Sequence, residues 1–204
     1  MLICGRHTTR RRRTPIQFGD ETWLRAAGND VEREDLLAKT WFITGASKGF
    51  GREWTEAALE RGDKVAATAR NLETLEALVN TYGDAVFPIQ LDVTDRMADF
   101  EAVKKAADYL GKLDVVIDNA GYGHFGAIEE LSEDDVRSQL ETNLFGALWV
   151  TQAALPIMRA QCSGHIIQVS SIGGITAFPT VGAYHASRVS PKLFRKRWRA
   201  SVSR

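Results

Sequence analysis

The chain has 204 residues, 44% hydrophobic and 25% charged, which is enough apolar material for one buried core and unlike disordered or collagen-like chains. Its formal net charge of zero hides an uneven distribution: residues 39–184 carry 12 Lys/Arg against 20 Asp/Glu, whereas residues 185–204 carry 7 Lys/Arg and no acid. An acidic centre repels phosphate backbones, so nucleic acid is not an expected partner, and no apolar run approaches the roughly 20 residues that cross a bilayer, so no membrane contact is expected either.

Residues 1–38 begin MLICGRHTTRRRRTP, where no apolar stretch follows the basic residues, so no secretory signal is expected. The arginines at 10–13 read as part of a solvated, disordered N-terminal extension. Cys4 and Cys162 lie far apart and form no CxxC pair, which predicts no disulfide framework, no metal site and a cytoplasmic location.

From residue 39 the text becomes regular. The run TWFIT (40–44) reads as a buried strand ending in a glycine loop, and residues 51–61 carry helical spacing through Trp54, Ala57, Ala58 and Leu59. KVAATAR (64–70) is a second strand, and Leu72, Leu75, Leu78 and Val79 recur at helical spacing. AVFPIQL (85–91) is a third strand with Pro88 as an irregularity, followed by a helix over 95–110 and a fourth strand, LDVVI (113–117). Ser132, with Asp135 three residues on, opens one long helix whose Leu140, Leu144, Leu148 stripe runs toward Met158, bent or re-started at Pro156. GHIIQVS (164–170) is a fifth strand.

Strand–helix alternation with short connections predicts an α/β fold, a doubly wound parallel sheet of Rossmann type with helices on both faces. It ends after the fifth strand and the start of the next helix. Ligands in such sheets bind at the carboxyl ends of the strands, where every motif below falls.

Between the first strand and helix stands Thr44-Gly45-Ala46-Ser47-Lys48-Gly49-Phe50-Gly51. Glycines there let a pyrophosphate approach the backbone, and the helix N-terminus offers it free N–H groups. This TGxxxGxG pattern resembles the short-chain dehydrogenase/reductase family, and the later motifs follow in the family's order. LDVTD (91–95) resembles the segment after strand three. Asp118-Asn119-Ala120-Gly121 resembles the family's NNAG motif with Asp118 in place of the first Asn. The resemblance implies a nucleotide held by Gly45, Ser47, Lys48, Gly49, Phe50, Gly51, Asp92, Val93, Asn119, Ala120 and Gly121, with Asp92 near the adenine and Asn119 steadying the central strands.

After strand two no carboxylate stands to bind a ribose 2′-hydroxyl; instead Arg70 is placed to meet a 2′-phosphate, with Lys48 as a second cation. NADP(H) is therefore expected over NAD(H). Tyr184 lies 13 residues after Ser171, and Asn143 sits on the long helix. The resemblance makes these the catalytic set for hydride transfer between nicotinamide and a small-molecule carbonyl or alcohol. Tyr184 is then the general acid or base, Ser171 holds the substrate oxygen, and Asn143 holds a water in a proton relay. Tyr122, His124, Phe125, Phe178 and Pro179 are candidate substrate contacts.

The pattern breaks at Arg188, where the family's YxxxK motif has a lysine that lowers the tyrosine pKa and binds the nicotinamide ribose. Arginine keeps the charge but is longer, planar and never deprotonates. The text from 188 onward, RVSPKLFRKRWRASVSR, loses the apolar stripe of the family helix. It reads as a basic tail translated from another frame, and residues 1–38 as sequence upstream of the family's usual start. Two functions follow: an NADP(H)-dependent oxidoreductase of residues 39–187, or an impaired relative that at most binds nucleotide. Homo-oligomers are typical of the family but not expected with the last helix altered.

Overall fold

The computed structural model describes residues 38–189; the N-terminal extension and the tail from residue 190 lie outside the described residues. In chain order the elements are β1 (Thr40–Ile43), α1 (Gly49–Glu60), β2 (Lys64–Ala69), a 3₁₀ turn (Leu72–Leu75) leading into α2 (Glu76–Tyr82), β3 (Val86–Gln90), α3 (Arg96–Leu110), β4 (Val115–Asp118), α4 (Glu133–Leu140), a π-helical segment (Glu141–Gly146), α5 (Ala147–Ala160) and β5 (His165–Gln168). A last helix, α6, covers residues 182–189.

The strands form one parallel sheet in the order β3-β2-β1-β4-β5. Successive side chains on a strand point to opposite faces, and here both faces are covered. Phe42, Ala66 and Val116 pack with Val103 of α3 and Val150, Ala154 and Met158 of α5. Their neighbours Ile43, Val65, Ala67, Val115 and Ile117 pack on the other side with Ala58 and Leu59 of α1, Leu75 and Leu78. Burial on both faces explains why the strands read as continuous apolar runs rather than as alternating ones. Pro88 is accommodated because β3 is an edge strand. Strand β5 forms the other edge among the described residues, with Ile167 exposed.

Local chemistry sets the helix ends. The Asp95 carboxylate accepts from the amides of Met97 and Ala98 (2.9 and 3.1 Å) and starts α3. Gly111, at φ 76°, ends it in the left-handed conformation that glycine adopts without strain. Ser132 caps α4 through the amide of Asp135 at 3.1 Å.

Two expectations need correction. The single helix expected from residue 132 to 158 is divided by the π-helical segment, which adds a residue to the turn and rotates the stripe. Gln139, Asn143, Gly146 and Val150 face the interior, while Leu140, Leu144 and Leu148 are only half-buried. Pro156 lies inside α5, which continues to Ala160. Cys162, expected to be unpaired, is disulfide-bonded.

Candidate active site

The carboxyl ends of β1, β2, β3 and β4 open onto a cleft of about 530 Å³. One wall is the glycine loop, through Gly45, Ser47, Lys48, Gly49 and Phe50; the floor and opposite wall are Ala69, Arg70, Leu91, Asp92, Val93, Thr94, Asn119, Ala120, Gly121, Tyr122 and Thr142. Gly45 and Gly49 have φ of 68° and 58°, the left-handed turn that starts α1. Gly51 is packed so closely that a Cβ would collide with the Gly45 carbonyl and lie 2.5 Å from the Asn119 amide nitrogen. That close approach tucks the first turn of α1 under the loop and leaves its N–H groups toward the cleft. No acidic residue occupies this first turn, and Lys48 precedes it without a side-chain cap.

The loop is tied to the turn after β4. Asn119 Nδ2 donates to the carbonyls of Thr44 and Gly45 (3.0 and 3.1 Å), while the Thr44 hydroxyl accepts from the amides of Asn119 and Ala120 (2.9 and 3.0 Å). Thr44 thus fixes both walls, a role the motif pattern did not assign to it. The Asp92 carboxylate accepts from the amide and hydroxyl of Thr94 (3.0 and 2.8 Å), shaping the turn after β3. Lys48 and Arg70 line the cleft with no ion-pair partner among the described residues.

A second group of polar side chains lies beside this cleft. Asn143, only 1% exposed, sits in the π-helical segment. Its Oδ1 accepts from the Tyr122 amide (2.9 Å), and its Nδ2 donates to the Tyr122 carbonyl (2.7 Å) and to Ser187 Oγ (3.0 Å). Both of its donor hydrogens are therefore committed, and one Oδ1 lone pair is left for a water. Ser187 donates in turn to the Tyr184 carbonyl at 2.7 Å. Ser171 Oγ accepts from the Gly173 amide (3.1 Å), which leaves its own hydrogen to donate elsewhere. Tyr184 is half-buried and packs against Gly173, where a Cβ would stand 3.3 Å from its ring.

Arg188 is 7% exposed. Its guanidinium lies 5.3 Å from the centre of the Tyr184 ring and donates to the Val169 carbonyl at 3.1 Å, while Nε has no hydrogen-bond partner. It also covers Gly121, where a Cβ would collide with Nη2. Of the other candidate contacts, Tyr122 lines the cleft, Phe125 packs over Gly123 beside Tyr184, Phe178 stands 5.7 Å from the His185 ring, His124 faces Asp135 at 3.9 Å, and Pro179 is exposed.

A family model described as short chain dehydrogenase matches residues 39–204. The chain belongs to the short-chain dehydrogenase/reductase family. Oxidoreductase BOA17 of Botryotinia fuckeliana is 49% identical over 153 residues, covering 74% of this chain and 56% of that protein. A short-chain dehydrogenase crystal structure from Streptomyces avermitilis superposes with a TM-score of 0.79 at 38% identity, over 81% of this chain and 61% of that one. Two further solved relatives carry a nucleotide: one from Burkholderia phymatum in complex with NAD (TM-score 0.75, 27% identity, 79% and 59% covered) and ElxO with NADP bound (0.72, 29%, 75% and 63%). The chain spans little more than half the length of the curated relatives it matches.

Behind the cleft this family member buries two carboxyl groups that the motifs did not single out as a pair. Asp118, at the end of β4, accepts from the Thr151 hydroxyl at 3.0 Å through Oδ2, and its Oδ1 has no partner. Asp99, in the first turn of α3, is 0% exposed and neither oxygen has a partner. Burial pushes Asp118 up to about 7 despite the Thr151 hydrogen bond. Burial, reinforced by the charge of Asp118 and then of Asp95 and Asp92, pushes Asp99 up to about 8. Asp99 was hidden in the sequence because the helix stripe through Phe100 and Val103 gives no sign that residue 99 also faces inward. No helix among the described residues is long and apolar enough to cross a membrane.

Proposed function

We propose that the protein is an NADP(H)-dependent oxidoreductase acting on a small-molecule carbonyl or alcohol. The observation that carries this reading is the glycine cradle opposite Asn119–Gly121, with Lys48 and Arg70, cations without an ion-pair partner among the described residues, lining the same cleft. Backbone N–H groups at the start of α1 suit a pyrophosphate, and Arg70 suits a 2′-phosphate. When bound, the nicotinamide supplies or accepts the hydride. Tyr184 gives its phenolic proton to the substrate oxygen in reduction and takes it back in oxidation, and the Ser171 hydroxyl donates to the same oxygen. Asn143 holds the Tyr122 turn and offers Oδ1 to a relay water. Arg188 keeps a positive charge against the face of the Tyr184 ring.

Thermal unfolding with each nucleotide tests the cofactor assignment. NADPH at about 100 times its dissociation constant adds about 2.7 kcal/mol, and NADH at the same concentration adds less. Arg70→Glu is expected to abolish the difference between them. Equal shifts for the two nucleotides in the wild type would remove Arg70 as the reader of the 2′-phosphate.

A further inference from the structure

We infer that His185 is a positioning residue that holds the Ser171 turn and Tyr184 in one catalytic geometry, a role that rests on the assignment of those two residues above. The Phe178 amide donates to His185 Nε2 at 2.8 Å. A backbone N–H can only donate, so Nε2 carries no proton and the neutral ring has its hydrogen on Nδ1. Nδ1 then donates to the Gly173 carbonyl at 2.7 Å. One ring thus bridges both ends of the loop after β5, and the Phe178 ring leans over it.

Gly173 is where these contacts converge. Its amide donates to Ser171 Oγ, its carbonyl accepts from His185, and its Cα faces the Tyr184 ring. A Cβ at residue 173 would stand 2.7 Å from His185 Nδ1 and 3.3 Å from Tyr184 Cε1, so the turn can lie against α6 only as glycine. The loop is otherwise weakly held: Ile172, Ile175 and Phe178 are exposed, and residues 175–180 form no helix or strand. Without the His185 bridge the Ser171 turn keeps its own 3₁₀ bonds but loses this link to the helix that carries Tyr184. A displacement of about 1 Å at a catalytic group lowers rates by up to about 100-fold.

The test compares wild type, His185→Ala, which removes both bonds, and His185→Gln, whose amide can accept from Phe178 and donate to Gly173. In NADPH-dependent reduction of an aromatic aldehyde, His185→Ala is expected to lower kcat about tenfold or more with KM for NADPH unchanged, and His185→Gln to recover most of it. Two readouts need no turnover: amide exchange over residues 172–178 should speed up in the Ala variant alone, and the nitrogen shifts of His185 should report the Nδ1–H tautomer. Equal kcat in all three forms, or an Nε2–H tautomer in the wild type, overturns the positioning role alone. No turnover in any form, with protected amides and the Nδ1–H tautomer, overturns the oxidoreductase reading and the positioning role with it.

Discussion

Mild acidification is expected to stabilise this protein against heat. Asp99 and Asp118 sit behind the cleft with three carboxylate oxygens unpartnered, and their pKa values are raised to about 8 and about 7. An exposed aspartate in the unfolded chain titrates near 3.9. Between that value and the folded values the native state holds more protons than the unfolded one, so stability falls as pH rises through the window and levels off above it. Asp118→Asn removes one of the groups that must ionise and keeps the acceptor for Thr151. It is expected to gain about 2 kcal/mol near pH 8, an increase in Tm of about 5 °C, and to gain little near pH 5. Adding Asp99→Asn should flatten the remaining slope. Scanning Tm against pH for the wild type and both variants decides the matter: a wild-type Tm that climbs from pH 5 to 8 would mean that the two carboxyls ionise without penalty.

Arg188→Lys is expected to raise kcat about tenfold or more. The guanidinium of Arg188 is spread over the face of the Tyr184 ring and anchored to the Val169 carbonyl. Its charge is delocalised over a planar group, and its bulk lies on Gly121 at the cleft wall. An ammonium on a flexible stem is a compact charge that can approach the hydroxyl and clears the space over Gly121. A compact charge beside the phenol stabilises the negative charge that develops on its oxygen as the proton is transferred. Steady-state kinetics at saturating NADPH check this. Unchanged kcat would mean that Arg188 already performs the task.

The fold was legible because the sheet is covered on both faces and each strand is a short apolar run between turn residues. The cradle was legible for a related reason: close approach of the Gly45 carbonyl permits only glycine at Gly51, so geometry is written directly as residue type. Other parts left weaker traces. The π-helical segment that turns Asn143 inward is set by packing, including Gly146 against Val93, where a Cβ would lie 2.8 Å from the Val93 carbonyl. A helical period cannot register such an insertion, so the leucine stripe through Leu140, Leu144 and Leu148 pointed to the wrong face. Thr44, Ser187 and His185 act through hydrogen bonds that no residue pattern marks: Thr44 to the turn after β4, Ser187 to Asn143 and the Tyr184 carbonyl, and His185 to Gly173 and Phe178. Asp99 is opposite in kind: the sequence presents an ordinary acid near a helix start, and only the neighbouring strand and helix make it buried.

The most direct test of the account is the rate of NADPH consumption with an aromatic aldehyde for the wild type and for Tyr184→Phe, both first shown to bind NADPH. A positioned acid–base group contributes about 100-fold or more, so the phenylalanine variant is expected to fall by at least that factor while its nucleotide binding is unchanged. Equal rates in the two proteins would contradict the assignment of Tyr184 and leave a family member that binds nucleotide without the proposed chemistry.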